Sequence, residues 1–133
     1  MINFEGTWTY RSFLNDPDQT KEPNQLLFGI GTLLLTRPNP EKISGSLGGA
    51  GWSLDLDGSV DADSPGQLRW QGRGQIGGEE WVYDYLGFLV PNWPNGLGQK
   101  DAILGTIIRT EAHSNGQATA GFVASWIAVR AEH

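Results

Sequence analysis

Apolar and polar residues alternate with a period of two along most of this chain, and turn-forming stretches interrupt the alternation. The clearest run is Trp52–Val60, which begins WSLDLD and therefore has one buried and one exposed face. No stretch shows the helical period of about 3.6 residues. The pattern predicts eight strands, which span Phe4–Phe13, Leu26–Thr36, Lys42–Leu47, Trp52–Val60, Gln67–Ile76, Glu79–Val90, Ala102–Thr110 and Thr119–Arg130.

Eight consecutive strands joined by turn-rich segments predict an all-β protein, and we predict one domain over residues 1–133. The 19 glycines and seven prolines agree with short strands and tight turns and disfavour long helices. Strands of such a chain pair in sequence order, and closing the sheet removes its unpaired edges. We therefore predict a single eight-stranded antiparallel up-and-down β-barrel, with an open sandwich as the alternative.

The Gly77-Gly78 pair predicts a two-residue hairpin turn, which fixes the pairing of the strands on either side. In this register Gly72 lies opposite Tyr83, and Trp70 lies opposite Tyr85. Together with the alternation of the preceding strand, the register turns one set of aromatic side chains inward, namely Trp52, Trp70, Trp81, Tyr83 and Tyr85, with Gly72 and Gly74 facing them.

Two interpretations of the barrel interior remain open. Inward glycines either let large side chains pack or help to shape a cavity, and an eight-stranded barrel is just wide enough to be filled or to hold one small ligand. Buried tyrosine hydroxyls need polar partners, which favours a cavity. The predicted ligand-binding residues are Tyr10, Ser12, Trp52, Trp81, Tyr83, Tyr85 and, if its side chain points inward, Arg109.

The two ends of the chain carry a short pattern, because Gly6-Thr7-Trp8 opens the first strand and Arg130 closes the last. This resembles the calycin pattern of lipocalins, avidins and fatty-acid-binding proteins, in which an arginine of the last strand packs across the tryptophan of the first. A guanidinium stacks well on an indole. The resemblance implies a barrel that is closed at Trp8 and open at the other end, beside the loops Leu14–Gln25 and Glu111–Ala118. It implies no particular ligand.

The sixth to eighth strands are apolar on both faces, as the segments AILGTII and FVASWIAV show. The outer wall of a monomeric barrel is ordinarily polar, so another surface must cover these strands. We predict a homo-oligomer that associates through the outer faces of strands six to eight. In the adjoining stretch FLVPNWPNG, we interpret Trp93 as a plug at the Trp8 end or a subunit contact, rigidified by Pro91 and Pro94.

Composition argues against several classes of partner. The chain has no cysteine and only two histidines, so we expect no disulfide, no metal and no cofactor. A net charge of -6 disfavours nucleic acid, because phosphate binding needs a basic face. No apolar segment approaches the roughly 20 residues of a membrane helix, and the N-terminus has no secretory pattern. We therefore expect a cytoplasmic protein without a membrane partner.

Three functions fit these observations. The one we favour is non-covalent binding of a small apolar or aromatic molecule in an aromatic-lined barrel cavity. The second is a cofactor-free barrel cyclase or isomerase, resembling the allene-oxide-cyclase type, in which one or two polar groups supply acid or stabilise charge. The third is a self-associating structural barrel with a filled core. A buried ionisable group in the cavity favours the enzyme, although the sequence assigns no catalytic residue, because His113 lies in a loop without an oriented acid.

Overall fold

The structure is a computed structural model that describes residues 3–61 and 66–131. Its strands are β1 (Gly6–Leu14), β2 (Leu27–Thr36), β3 (Lys42–Gly49), β4 (Trp52–Asp61), β5 (Gln67–Ile76), β6 (Glu79–Leu89), β7 (Ala102–Arg109) and β8 (Val123–Arg130), and a 3-10 turn covers Pro23–Leu26. Each strand pairs antiparallel with the next, and β1 pairs with β8 to close the barrel. The predicted all-β up-and-down barrel is confirmed, and the open sandwich is excluded. Among the described residues, no helix is long and apolar enough to cross a membrane.

The largest difference from the predicted boundaries is at β8, which begins at Val123 instead of Thr119. Just before it the chain bends: the Gly121 N–H donates to the carbonyl of Arg109, whose own N–H donates to the carbonyl of Phe122. Gly121 has a φ of +87°, which a β-strand does not accommodate. Residues 119–122 therefore belong to a loop. Residues 62–65, between β4 and β5, lie outside the described part of the chain.

The hairpin of β5 and β6 has the predicted register, with Trp70 opposite Tyr85 and Gly72 opposite Tyr83. The turn residues Gly77-Gly78 have φ values of +60° and +82°. A two-residue turn that matches the twist of its strands needs left-handed conformations of this kind, which glycine adopts without steric cost. The turn chemistry thus determines which side chains of β5 and β6 face the interior.

The inward glycines of β5 allow close packing against β4 and do not shape a cavity. A Cβ on Gly72 would lie 3.2 Å from Leu54 Cδ1 and 3.3 Å from Leu56 Cδ2. A Cβ on Gly74 would lie 2.1 Å from the carbonyl oxygen of Ser53, a distance at which the strands would have to separate. Of the two interpretations of these glycines, close packing is the correct one.

Aromatic rings occupy the middle of the barrel. Trp70 stacks on Tyr85 with 5.5 Å between the ring centroids, and Trp126 packs against Trp70 at 5.3 Å and against Tyr10 at 6.0 Å. Between these rings and the Trp8 end, aliphatic side chains fill the interior, including Leu33, Leu35, Ile43, Leu68, Leu89 and Ile103. That half of the barrel is a conventional hydrophobic core.

The Trp8 end is closed by the pair that the calycin pattern implies. The Arg130 guanidinium lies over the Trp8 indole, with 4.3 Å between Cζ and the ring centroid. Arg130 also forms an ion pair with Asp101 at 3.0 Å and donates hydrogen bonds to the carbonyl oxygens of Asn3 and Glu5. The stack therefore ties together both ends of the described chain and the loop before β7.

The outer wall of β6–β8 carries exposed apolar side chains, although Val82 on the same side of β6 is buried. Val82 points outward by its register but is only 1% exposed. We define the outer apolar face as the exposed residues Phe88, Leu104, Ile108 and Val123. Phe88 pairs directly with Leu104, and Ile108 with Val123, across neighbouring strands. The four residues thus form two apolar pairs on one wall, with Thr106 between Leu104 and Ile108 on the outer side of β7.

Trp93 lies in the loop between β6 and β7, at the Trp8 end as predicted. The Gln99 side chain holds the loop by accepting a hydrogen bond from the Trp93 N–H and donating one to the Trp93 carbonyl. The Trp93 residue is nevertheless 67% exposed. It therefore does not plug the barrel, and a subunit contact stays a prediction.

Candidate functional site

A cavity of about 260 Å³ opens at the end of the barrel opposite Trp8. This mouth is formed where β1, β3, β5 and β7 end and where β2, β4, β6 and β8 begin. Aromatic and aliphatic side chains dominate its lining, with a small number of polar groups among them. The lining residues are Tyr10, Ser12, Phe28, Gly29, Trp52, Leu54, Trp81, Tyr83, Tyr85, Ile107, Arg109 and His113. The interior is thus part core and part cavity.

All seven side chains predicted to form a ligand site lie around this one cavity, namely Tyr10, Ser12, Trp52, Trp81, Tyr83, Tyr85 and Arg109. The orientation of Arg109, which the sequence left open, is inward. Arg109 lies opposite Tyr83 in the sheet, shares the inward parity of Ile107 and Ile103, and is only 7% exposed. The cavity therefore contains a buried cation.

Three polar side chains form a hydrogen-bonded cluster at the mouth. Arg109 Nε–H donates to Tyr83 Oη at 3.1 Å, and Tyr83 Oη lies 2.8 Å from His113 Nε2. On the other side of the imidazole, His113 Nδ1 lies 3.0 Å from Ser114 Oγ. A proton on His113 Nε2 would leave the Tyr83 hydroxyl hydrogen without an acceptor in this cluster. The Tyr83 hydroxyl therefore donates to Nε2, and the Nδ1–H of a neutral imidazole donates to Ser114 Oγ. The network assigns this tautomer.

The environment of His113 favours the neutral form. Burial lowers the pKa of His113, the positive charge of Arg109 lowers it further, and the Glu79 carboxylate acts in the opposite direction. The imidazole also lies flat against the Trp81 indole, with 4.0 Å between the centroids and 13° between the planes. His113 is thereby held as an uncharged hydrogen-bond acceptor for Tyr83.

Glu79 positions the loop that carries His113. Its carboxylate accepts hydrogen bonds from the N–H groups of Ser114 at 3.0 Å and Asn115 at 3.2 Å. Both of those residues have positive φ values, and an isolated bridge joins His113 to Ala118. The tight turn returns the loop over the mouth, so that His113 reaches the cavity from outside the strands.

Aromatic rings surround the Arg109 guanidinium. Its Cζ lies 4.9 Å from the ring centroid of Phe122, 5.6 Å from that of Tyr83 and 5.8 Å from that of Phe28. Arg109 Nη1 donates to the carbonyl of Thr119 at 3.2 Å. Cation–π contacts and neutral hydrogen bonds therefore hold the buried charge in place.

One donor of a residue that lines the cavity has no partner. Trp81 Nε1 is buried and forms no hydrogen bond with the described residues. Burial raises the pKa of Tyr10, and raises that of Tyr85 well above its usual value, so both hydroxyls keep their protons at neutral pH. Buried polar groups in native proteins are nearly always hydrogen-bonded, and Trp70 Nε1, in the aromatic middle of the barrel, is likewise unpartnered.

The sequence did not identify every residue of the site. His113 lies in a loop without an oriented acid in the sequence, and no pattern singles out Phe28 or Phe122. The Ser-Asn-Gly segment after His113 is a turn signal that would have placed the loop close to the strand ends. Nothing local marks Phe28, which lies where the pairing of β1 and β2 shifts register, between Leu27 opposite Phe13 and Gly29 opposite Ser12.

Within residues 3–61 and 66–131, no three His, Cys, Asp or Glu side chains come together in a group that could hold a metal ion. Comparison with models of known protein families gives no match. Comparisons with curated proteins and with solved structures likewise give no match. A function can therefore be inferred only from the geometry of the cavity.

Proposed function

We propose that this protein binds a small aromatic or apolar molecule non-covalently in the cavity at the mouth of the barrel. The observation that carries the proposal is the combination of an apolar-lined cavity with the buried, unpartnered donor Trp81 Nε1. An acceptor atom of a bound molecule would satisfy this donor, while its rings pack against the aromatic lining. Binding sites of this kind combine apolar walls with a small number of placed polar groups.

The volume of the cavity limits the size of the ligand. A dry cavity of about 150 Å³ holds benzene. The cavity of about 260 Å³ therefore has room for one ring with a short polar substituent, or for two small rings. Long acyl chains would need space that aliphatic and aromatic side chains occupy in the lower half of the barrel.

The test is an NMR titration with two probes of suitable size, phenylacetate and phenylacetamide. The resonance of the Trp81 indole N–H should shift on binding, because this donor gains an acceptor. The indole N–H of Trp8, which already donates to the carbonyl of Phe4 at 2.9 Å, is the internal control and should not shift. Absence of binding by both probes contradicts the proposal.

A blocking variant locates the binding site. A Cβ on Gly29 would lie 3.1 Å from Ser12 Oγ and 4.0 Å from Tyr10 Cε1, so the side chain of Gly29→Leu enters the cavity. We expect this variant to lose probe binding. Thr32→Leu adds a side chain of the same type at an exposed position of the same strand and should bind as the wild type does. Equal binding by both variants would place the probe elsewhere.

A second candidate function is a cofactor-free cyclase or isomerase, and the buried cluster of Arg109, Tyr83 and His113 favours it. In such a reaction Tyr83 would donate its proton to one atom of the substrate, and the resulting phenolate would take a proton from another atom of the substrate. Arg109 would stabilise the negative charge on the phenolate, and His113 would hold the Tyr83 hydroxyl in position. The cycle leaves the protein unchanged and needs no cofactor.

The enzyme candidate is tested by incubating the protein with a metabolite extract and separating the products by chromatography with mass detection. A product that forms with the wild type and not with Tyr83→Phe supports catalysis. Probe binding without any such product supports binding alone.

We also propose that a second copy of this chain covers the outer apolar face. The pairs Phe88–Leu104 and Ile108–Val123 support this, because several exposed apolar side chains on one wall of a small barrel are typical of an interface. For the architecture, the Trp8–Arg130 stack on the closed end supports a calycin-like relationship.

A further inference from the structure

Arg109 is a buried guanidinium without a carboxylate. It is 7% exposed, and no carboxylate of the described residues lies within ion-pair distance of it. Arg73 and Arg130, by contrast, are paired with Glu80 and Asp101. Buried charges in proteins are ordinarily paired, because an uncompensated charge of low exposure is costly in free energy. The missing counter-charge at Arg109 is thus the exception to be explained.

The hydrogen bonds of Arg109 leave part of its donor set free. Nε–H donates to Tyr83 Oη and Nη1 donates to the Thr119 carbonyl, whereas Nη2 has no partner among the described residues. Each terminal nitrogen carries two N–H groups, so Nη1 and Nη2 both retain a donor. Two neighbouring N–H groups on one guanidinium match the two oxygens of a carboxylate or phosphate.

We propose that the ligand carries an anionic oxygen group, which Arg109 binds at the mouth while the apolar part of the ligand lies in the cavity. This inference rests on the proposed binding function and specifies the chemical class of its ligand. His113 does not supply the counter-charge, because an imidazole is either neutral or positively charged. Glu79 does not supply it either, because its two carboxylate oxygens accept from the N–H groups of Ser114 and Asn115. The ligand group itself completes the pair.

A preference for an anionic ligand would come from Arg109 and not from the overall charge of the chain. The chain has a net charge of -6, so its overall field repels anions. Attraction therefore depends on Arg109, whose charge is exposed to little solvent and is flanked by the rings of Phe28 and Phe122. In such a setting a charge-assisted hydrogen bond is stronger than one to a neutral acceptor.

The experiment compares probes of one shape and different charge by isothermal titration calorimetry. Phenylacetate and phenylacetamide differ by the charge of one group, and phenyl phosphate distinguishes a phosphate from a carboxylate. We expect the wild type to prefer an anionic probe over phenylacetamide by about tenfold or more. Arg109→Met should remove that preference, and Arg109→Lys should retain part of it. Arg11→Met makes the same change on an exposed residue of β1 and should leave the preference intact.

Each outcome has a definite meaning. Tighter binding of phenylacetate or of phenyl phosphate, lost in Arg109→Met, supports the inference and identifies the anionic group. Equal affinity for charged and neutral probes, or a preference that survives in Arg109→Met, overturns the inference and leaves the binding function intact. Failure of all three probes to bind the wild type overturns both. The NMR spectrum of each variant, with the Trp8 indole resonance in its wild-type position, shows that the barrel is folded.

Discussion

The Tyr83 hydroxyl and the His113 imidazole are joined by a hydrogen bond of 2.8 Å between Oη and Nε2. Tyr83 belongs to β6, in the rigid barrel wall, and His113 to the loop between β7 and β8. The bond therefore holds the loop between β7 and β8 against the barrel wall beside the cavity. It also couples the protonation state of the loop histidine to the direction of a cavity hydroxyl.

Tyr83→Phe should lower the free energy of unfolding by about 1–3 kcal/mol. The change removes the acceptor of Arg109 Nε–H and the donor to His113 Nε2, and both of these residues are buried. Urea denaturation of wild type and variant measures the difference. Tyr10→Phe is the matched control, since it removes a hydroxyl from the same cavity while Arg109 and His113 keep Tyr83. Equal losses in the two variants would show that the cluster contributes nothing specific.

The free energy of unfolding should fall as the pH decreases below about 6.5, the ordinary pKa of histidine. Burial and the charge of Arg109 lower the pKa of His113 in the folded state, with Glu79 opposing them. The unfolded chain therefore binds more protons in this window, so stability rises with pH there and is lost as the pH falls toward the folded-state pKa. Urea denaturation at a series of pH values measures the slope.

His113→Gln should flatten that slope, because the amide can still contact Tyr83 but does not titrate. The exposed carboxyls of Asp16 and Asp18 also have lowered pKa values, through hydrogen bonds with Lys21 and Thr20 respectively. Their contribution is lost only below about pH 4, the ordinary range of aspartate. A slope between about pH 5 and 7 that persists in His113→Gln would assign the effect to another group.

Arg130→Ala should destabilise the barrel by about 1–3 kcal/mol, because it removes the guanidinium from the Trp8 ring and breaks its charge-assisted bonds to Asp101 and the N-terminal carbonyls. Arg130→Lys restores the charge without the planar stack and should recover part of the loss. Thermal and urea denaturation check both. A neutral effect of Arg130→Ala would mean that the closed end is held by its aliphatic core alone.

Leu104→Glu should convert a dimer into a monomer, because it places a charge beside Phe88 in the outer apolar face. Size-exclusion chromatography with light scattering measures the mass. Leu34→Glu makes the same change at an exposed leucine of β2 and should leave the dimer intact. A wild-type protein that is monomeric at high concentration contradicts the proposed association.

Local patterns in the sequence determined the number of strands, their order, and the register of β5 and β6. Alternation with a period of two and the Gly77-Gly78 turn are short-range features, and each restricts the backbone by itself. They were sufficient to place the aromatic side chains of β4, β5 and β6 inward, whereas they left the orientation of Arg109 open. The terminal Trp8–Arg130 stack was expected from the resemblance to the calycin pattern.

Only the tertiary structure decided which part of the interior is core and which is cavity. Gly72 and Gly74 are compatible with either, and the choice depended on side chains of β4 that fill the space. The inward orientation of Arg109 and the approach of His113 depended on the loop bend at Gly121 and on Glu79, which is distant in sequence. Contacts between residues far apart in the chain leave no periodic signal, so the polar cluster at the mouth becomes visible only when the barrel is closed.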